Sequence, residues 1–257
     1  VWKDGSKAGA QIVKGTATDI SAENWQGEVY AASNKVSING FFEPNTKYVY
    51  QYTDNYSDNG DTIWSDEYTY TTHATDTFSV ILTGDPQIGA SGSKSDKEAN
   101  DMSVAQDAYN WNKTMQKAME IDPDASFLLS AGDQINESNA GSEEKKTRES
   151  EYAGYLYPSV FRSLPIAATI GNHDKDGSDY TAHFNNPNSE DNLGSTGAGC
   201  DFYFNNGNVL FISLNSNNRN QAEHREFMKK AVASNPDAAW KVVVFHSDIY
   251  GSGQPHA

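Results

Sequence analysis

Four short polar clusters combine glycine with oxygen and nitrogen donors: Gly84-Asp85-Pro86-Gln87, Gly132-Asp133-Gln134-Ile135-Asn136, Gly171-Asn172-His173-Asp174 and His246-Ser247-Asp248. Carboxylate and amide oxygens mixed with imidazole nitrogens suit hard-to-borderline divalent ions such as Mn, Fe or Zn, whereas an all-oxygen set would point to Ca or Mg. Two such ions roughly 3.5–4 Å apart hold the attacking and leaving oxygens of an in-line displacement at phosphorus, and a hydroxide bridging them is nucleophilic at neutral pH. The chemistry these residue types suggest is therefore phosphoester hydrolysis, of a monoester or a diester, with two divalent metal ions as cofactors. No cluster carries this alone. A Gly-Asp pair after a strand is ordinarily a turn, an Asn-rich chain forms Gly-Asn-His-Asp by accident, and a histidine after an apolar strand is ordinarily a hydrogen-bonded core or rim residue. Their joint occurrence is what points to one metal site.

Each cluster follows an apolar run, and the runs are Phe78-Ser79-Val80-Ile81-Leu82, Ser126-Phe127-Leu128-Leu129, Ile166-Ala167-Ala168-Thr169-Ile170 and Trp240-Lys241-Val242-Val243-Val244-Phe245. A fifth run, Val209-Leu210-Phe211-Ile212-Ser213-Leu214, has no such cluster behind it. Continuous apolar runs alternating with helical patterns are the mark of βαβ units and a mostly buried sheet. In open α/β sheets ligands bind beyond the carboxyl ends of the strands, so residues remote in sequence converge there. Val104, Ala108, Trp111, Met115 and Met119 recur at helical spacing and predict a helix over 103–120, with a second over 221–233. Residues 90–100 and 185–199 read as loops, and 138–149 as a charged insertion of undecided conformation.

Residues 1–74 look different. Short alternating runs such as Gly27-Glu28-Val29-Tyr30-Ala31 and Lys47-Tyr48-Val49-Tyr50-Gln51-Tyr52 are separated by turn residues, with no helical period. The character changes at His73-Ala74-Thr75-Asp76-Thr77, which predicts a β domain over 1–75 and an α/β domain over 76–257. For 257 residues two domains are the expected organisation.

Composition narrows the partners. A formal net charge of -16 repels nucleic acid and anionic lipid, so an anionic substrate must be drawn in by local positive charge such as a metal. The single cysteine, Cys200, excludes an intrachain disulfide and a thiolate cluster and reads as a small buried hydrophobe. No apolar run approaches the ~20 residues of a membrane helix, and no export signal opens the chain. The acidic, Asn- and Thr-rich, aromatic front end reads as an extracellular or cell-surface protein of bacterial type.

From about Thr77 onward these motifs resemble a calcineurin-like metallophosphoesterase, and with its front module the chain is similar to the purple acid phosphatase arrangement, a fibronectin type III-like sandwich before the catalytic domain. The resemblance implies a four-layer α/β/β/α domain. It also implies that Asp85 binds the first metal, that Asp133 bridges both, and that Asn172 and His246 bind the second. His173 becomes the histidine that contacts the phosphate and stabilises or protonates the leaving oxygen, with Asp174 tuning it, and His256 lies in a loop, either near the substrate or exposed to solvent. There are three departures from the family pattern. Gln87, a weak ligand of the first metal through its amide oxygen, stands where a metal-binding histidine is usual, Asn136 stands where purple acid phosphatases carry tyrosine, and no Gly-His-x-His occurs by Ala257. The expectation is therefore a domain truncated at its C-terminus, behind a sandwich missing its opening strands, since such a sandwich has about seven. Gln87 and Asn136 also leave open a second class, a non-catalytic scaffold or adhesion protein with a decayed phosphoesterase domain.

Overall fold

The computed structural model describes residues 1–23, 29–74, 76–92, 97–141 and 144–248. Its second half is built on two three-stranded sheets. In the first, β6 (Ile81–Thr83), β7 (Leu128–Ser130) and β8 (Ile166–Ala168) run parallel in the order β6-β7-β8. In the second, β9 (Phe202–Asn206) pairs antiparallel with β10 (Val209–Leu214), and β10 pairs parallel with β11 (Trp240–Phe245).

Alternation of side-chain direction along each strand builds the layers. Leu128 lies in a core cluster with Trp111 and Met115 of α1 (Lys97–Ile121) and Tyr152 and Tyr155 of α2 (Lys145–Leu156). Its neighbour Leu129 lies in a separate cluster with Ala167 and Phe211, between the sheets. On β10, Leu210 and Ile212 turn the other way, onto Phe227 and Ala231 of α4 (Gln221–Ser234). The order is thus helices, first sheet, second sheet, helix. A buried hydroxyl pair, Thr169 Oγ1 to Ser213 Oγ at 3.0 Å, joins the sheets near the functional edge.

The sequence expectations hold for β10, β11 and α4 to within a residue. Several others need correction. Helix α1 begins at Lys97, inside the stretch read as a loop, and α2 rises from the charged insertion. Strands β6 and β7 lie further along than their apolar runs. Strand β9 and a short helix α3 (Asp179–His183) have no counterpart in the sequence reading. Among the described residues β11 is an edge strand that leaves Trp240, Val242 and Val243 exposed.

The front is all-β among the described residues. Strands β1 (Trp2–Lys3), β4 (Lys47–Tyr50) and β5 (Tyr68–Thr71) form one antiparallel sheet, and β2 (Thr16–Glu23) pairs with β3 (Val29–Lys35) in a separate hairpin. The front touches the rest at named points. Ser33 Oγ donates to the Ala182 carbonyl at 2.6 Å, Lys35 Nζ to that of Phe184 at 3.1 Å, and Tyr50 OH to that of Arg162 at 2.7 Å.

Candidate metal centre

Register decides where the polar clusters emerge. Thr83, Ser130 and Ala168 are aligned across the first sheet, so the segments that follow all leave at one edge. In the second sheet Leu214 is aligned with Phe245, which brings His246 to the corresponding end of β11. The first two loops are then laced together: Asp85 N donates to Gly132 O at 3.2 Å, and Gln87 N to Asp133 O at 2.9 Å. Lacing requires unusual backbone. Asp85, Gln87 and Asp133 have φ of 51°, 38° and 52°, in the left-handed region that non-glycine residues seldom occupy. Such strain gathers at functional sites, held there by the surrounding structure.

The side chains converge. Asp85, Asp133 and His246 each present one ligand-type atom, and the three atoms lie within 4.8 Å of one another. His246 Nε2 is 2.9 Å from Asn172 Oδ1 and 3.4 Å from Asp133 Oδ1. Its other nitrogen, Nδ1, donates to the Ala131 carbonyl at 2.9 Å, which fixes the ring so that Nε2 faces the cluster. His173 is fixed in the same manner. Its Nδ1 donates to the Asn136 carbonyl, and its Nε2 stands 3.7 Å from Asp133 Oδ2.

Asp133 is the hub. Its Oδ1 accepts the His173 backbone N–H at 2.9 Å, and its Oδ2 accepts Gln87 Nε2 at 3.0 Å. Burial pushes its carboxyl pKa up, but the His246 imidazole and the His173 N–H outweigh burial and hold it below the usual range. Burial likewise pushes His246 down. Its bond to Asp133 prevails, and the pKa rises to about 9.

Two glycines make the approach possible. A Cβ on Gly132, whose φ is 106°, would lie 2.6 Å from His246 Nδ1, and one on Gly171 would lie 2.1 Å from both the amide nitrogen and Oδ1 of Asp133. By contrast, a Cβ on Gly84 would meet only Ala131 Cβ, at 3.6 Å.

The structure therefore brings together Asp85, Gln87, Asp133, Asn172, His173 and His246. His256 lies outside the described residues, as does the rest of 249–257. Asp174 does not touch the His173 ring: its carboxylate accepts Gly171 N at 2.9 Å and Tyr152 OH at 3.1 Å. Burial lifts the Asp174 carboxyl to about 7. Its geometry fits shaping of the Gly171-Asn172 turn, and the His173 ring is held by the Asn136 carbonyl.

Three supporting residues escaped the sequence reading. Asn217, just past β10, donates through Nδ2 to the carbonyls of Gly171 at 3.1 Å and Ile170 at 3.4 Å, so the fifth strand also ends in a polar group serving the site. Glu151 accepts the backbone N–H groups of Asn136 and Glu137 at 3.0 and 2.7 Å. Arg148, fully buried, reaches the backbone of His173 and of Glu137. All three hold main-chain atoms, which no side-chain motif records.

The donor set fits a divalent cation. Two carboxylates offset the charge, and an oriented imidazole and an amide oxygen complete a mixed N/O set. Comparison with curated proteins gives no match. The model of the calcineurin-like phosphoesterase family matches residues 78–257, a span that takes in all four polar clusters and both sheets of the second half, and the chain belongs to that family.

Proposed function

We propose that the chain hydrolyses small phosphoesters at a two-metal centre. The observation that carries this reading is the convergence of Asp85, Asp133, Asn172 and His246 from four strand ends onto one point. Asp85 would hold the first ion, Asp133 both, and Asn172 with His246 the second. When bound, such ions polarise a phosphoryl oxygen and make a water nucleophilic near neutral pH.

The chain's own residues do the rest. Gln87, by donating to Asp133 Oδ2, orients the shared carboxylate, and its amide oxygen remains as a weak donor to the first ion. His173, with Nδ1–H committed to Asn136 O, presents Nε2 to the leaving oxygen, which would take the Nε2 proton from the doubly protonated ring and leave the neutral Nδ1–H imidazole behind. The front module fits a fibronectin type III-like spacer beside this domain, with the boundary near residue 75. Its antiparallel strands support that assignment. Export to the cell surface is part of the same proposal and is supported by the acidic composition.

The test uses p-nitrophenyl phosphate and bis-p-nitrophenyl phosphate with added Mn or Zn. Asp133→Asn should abolish turnover, because a neutral amide leaves two cations poorly bridged. For phenyl phosphate, whose leaving oxygen needs a proton, His173→Ala should lower the rate about 10²–10⁴-fold while keeping the metal, as expected for a lost proton donor. Metal loss in His173→Ala as severe as in Asp133→Asn would show that His173 is a ligand instead.

A further inference from the structure

The guanidinium of Arg148 has five N–H donors in a rigid planar fork, and the structure supplies five acceptors. Nε donates to Asp179 Oδ2 at 2.5 Å. Nη1 donates to the carbonyls of Glu137 at 2.7 Å and His173 at 2.9 Å, and Nη2 to those of Asp176 at 2.9 Å and Asp174 at 3.4 Å. The side chain is fully buried. Four of the acceptors belong to the loops after β7 and β8, and those loops carry the hub Asp133, the ring acceptor Asn136 and the candidate acid His173.

We infer that Arg148 is a positioning residue for proton transfer, one that clamps the two loops so that the Asn136 carbonyl holds His173 Nδ1 and aims Nε2 at the leaving oxygen. The inference rests on the hydrolytic reading for its kinetic consequence but not for its structural one. His173 is gripped at three points, its ring by Asn136 O, its N–H by Asp133 Oδ1 and its own carbonyl by Arg148, while Arg148 also fixes Glu137, the residue next to Asn136. Moving one loop against the other disturbs the ring contact, because that contact bridges them, as does the bond from His173 N to Asp133 Oδ1.

Lysine keeps the charge but has three donors and no plane, so it cannot hold five acceptors. Arg148→Lys should therefore fold, keep metal, and misaim His173. A misaimed acid matters most when the leaving group is a poor one. For phenyl phosphate, whose leaving oxygen needs a proton, kcat should fall by about 10²-fold. For p-nitrophenyl phosphate, whose phenolate leaves readily, it should fall much less, with KM near that of the unaltered protein for both. The double variant Arg148→Lys/His173→Ala should be no slower than His173→Ala.

The second arm needs no activity. Nitrogen NMR at a pH where the rings are neutral should show His173 as the Nδ1–H tautomer in the unaltered protein, the form that takes up its transferable proton on Nε2, and as a mixture in Arg148→Lys. Should Arg148→Lys fail to fold, Asp179→Asn, which weakens the Nε contact alone, should move both readouts the same way by less. An equal loss of rate for both leaving groups, or an unchanged tautomer in the variant, overturns the proposal. If the unaltered protein turns over no phosphoester, the hydrolytic reading fails. The tautomer then still decides whether Arg148 positions His173.

Discussion

At the residue scale the site depends on close approaches that single atoms would spoil. Gly132→Ala places a methyl group against the His246 ring at a backbone angle alanine seldom adopts, and Gly171→Ala drives one into Asp133. Both should lose metal binding measured by calorimetry, whereas Gly84→Ala, with room for its Cβ, should bind as the unaltered protein does. The His246 proton makes a second prediction. Without bound metal the folded chain keeps that proton up to about pH 9, while the unfolded chain releases it near the ordinary histidine value of 6.5. Its contribution to stability is therefore full below about 6.5 and is lost as pH rises through about 9. A dication needs Nε2 unprotonated, so metal affinity should climb through the same window, and binding at pH 7 should release about one proton from this residue. Calorimetry in two buffers of different ionisation enthalpy measures this, and affinity that stays flat from pH 7 to pH 9 would contradict it. The ligand-type side chains were legible because Asp, Asn and His beside glycine are chemically distinctive. Arg148 was not, since in the run Lys145-Lys146-Thr147-Arg148-Glu149-Ser150-Glu151 it reads as part of a solvated charged face.

At the element scale, what could be read was whatever announces itself by apolar pattern. Strand β10 is six residues with four buried, and its run was found whole. Helix α1 buries Val104, Ala108, Trp111 and Met115 at helical spacing, which is why its body was visible. Its first turn, from Lys97, has no apolar stripe and was read as loop. Helix α2 went unseen for a different reason. The residues it buries run from Arg148 through Tyr152 and include Tyr155, so four polar side chains are buried beside the two tyrosines and no apolar stripe stands out. Polar burial of this kind is tolerable only because these groups find partners, as the Arg148 and Glu151 contacts show. The layered core behaves conventionally. Phe211 is buried between the sheets, with ring contacts to Phe127 and Phe204 at 5.1 Å each. Phe211→Ala should cost about 3–5 kcal/mol of unfolding free energy. A loss below about 1 kcal/mol in chemical denaturation would mean that the two sheets do not depend on this contact.

At the scale of the whole molecule the net charge of -16 opposes the proposed chemistry, because phosphoesters are anions. Many exposed cations are already matched to neighbouring carboxylates, as in Lys3–Glu43, Lys7–Glu67, Lys47–Asp4 and Lys117–Glu120. Arg148 is buried and fully engaged. The long-range field thus attracts metal cations and repels substrate, while the local field of bound ions must do the reverse over a few ångströms. Salt separates the two. Raising ionic strength from about 0.01 M to about 0.1 M shortens the screening length from about 30 Å to about 10 Å. That removes the repulsion of the distant surface and leaves contacts inside the site nearly untouched. KM for a dianionic aryl phosphate should therefore fall as salt rises, with kcat steady, while the metal dissociation constant should increase. The same titration with a monoanionic diester should show a shallower fall in KM, in keeping with its smaller charge. A KM that rises with salt would show instead that substrate is steered by a local positive field reaching beyond the site, and that the acidic surface is turned away from the approach to the metals.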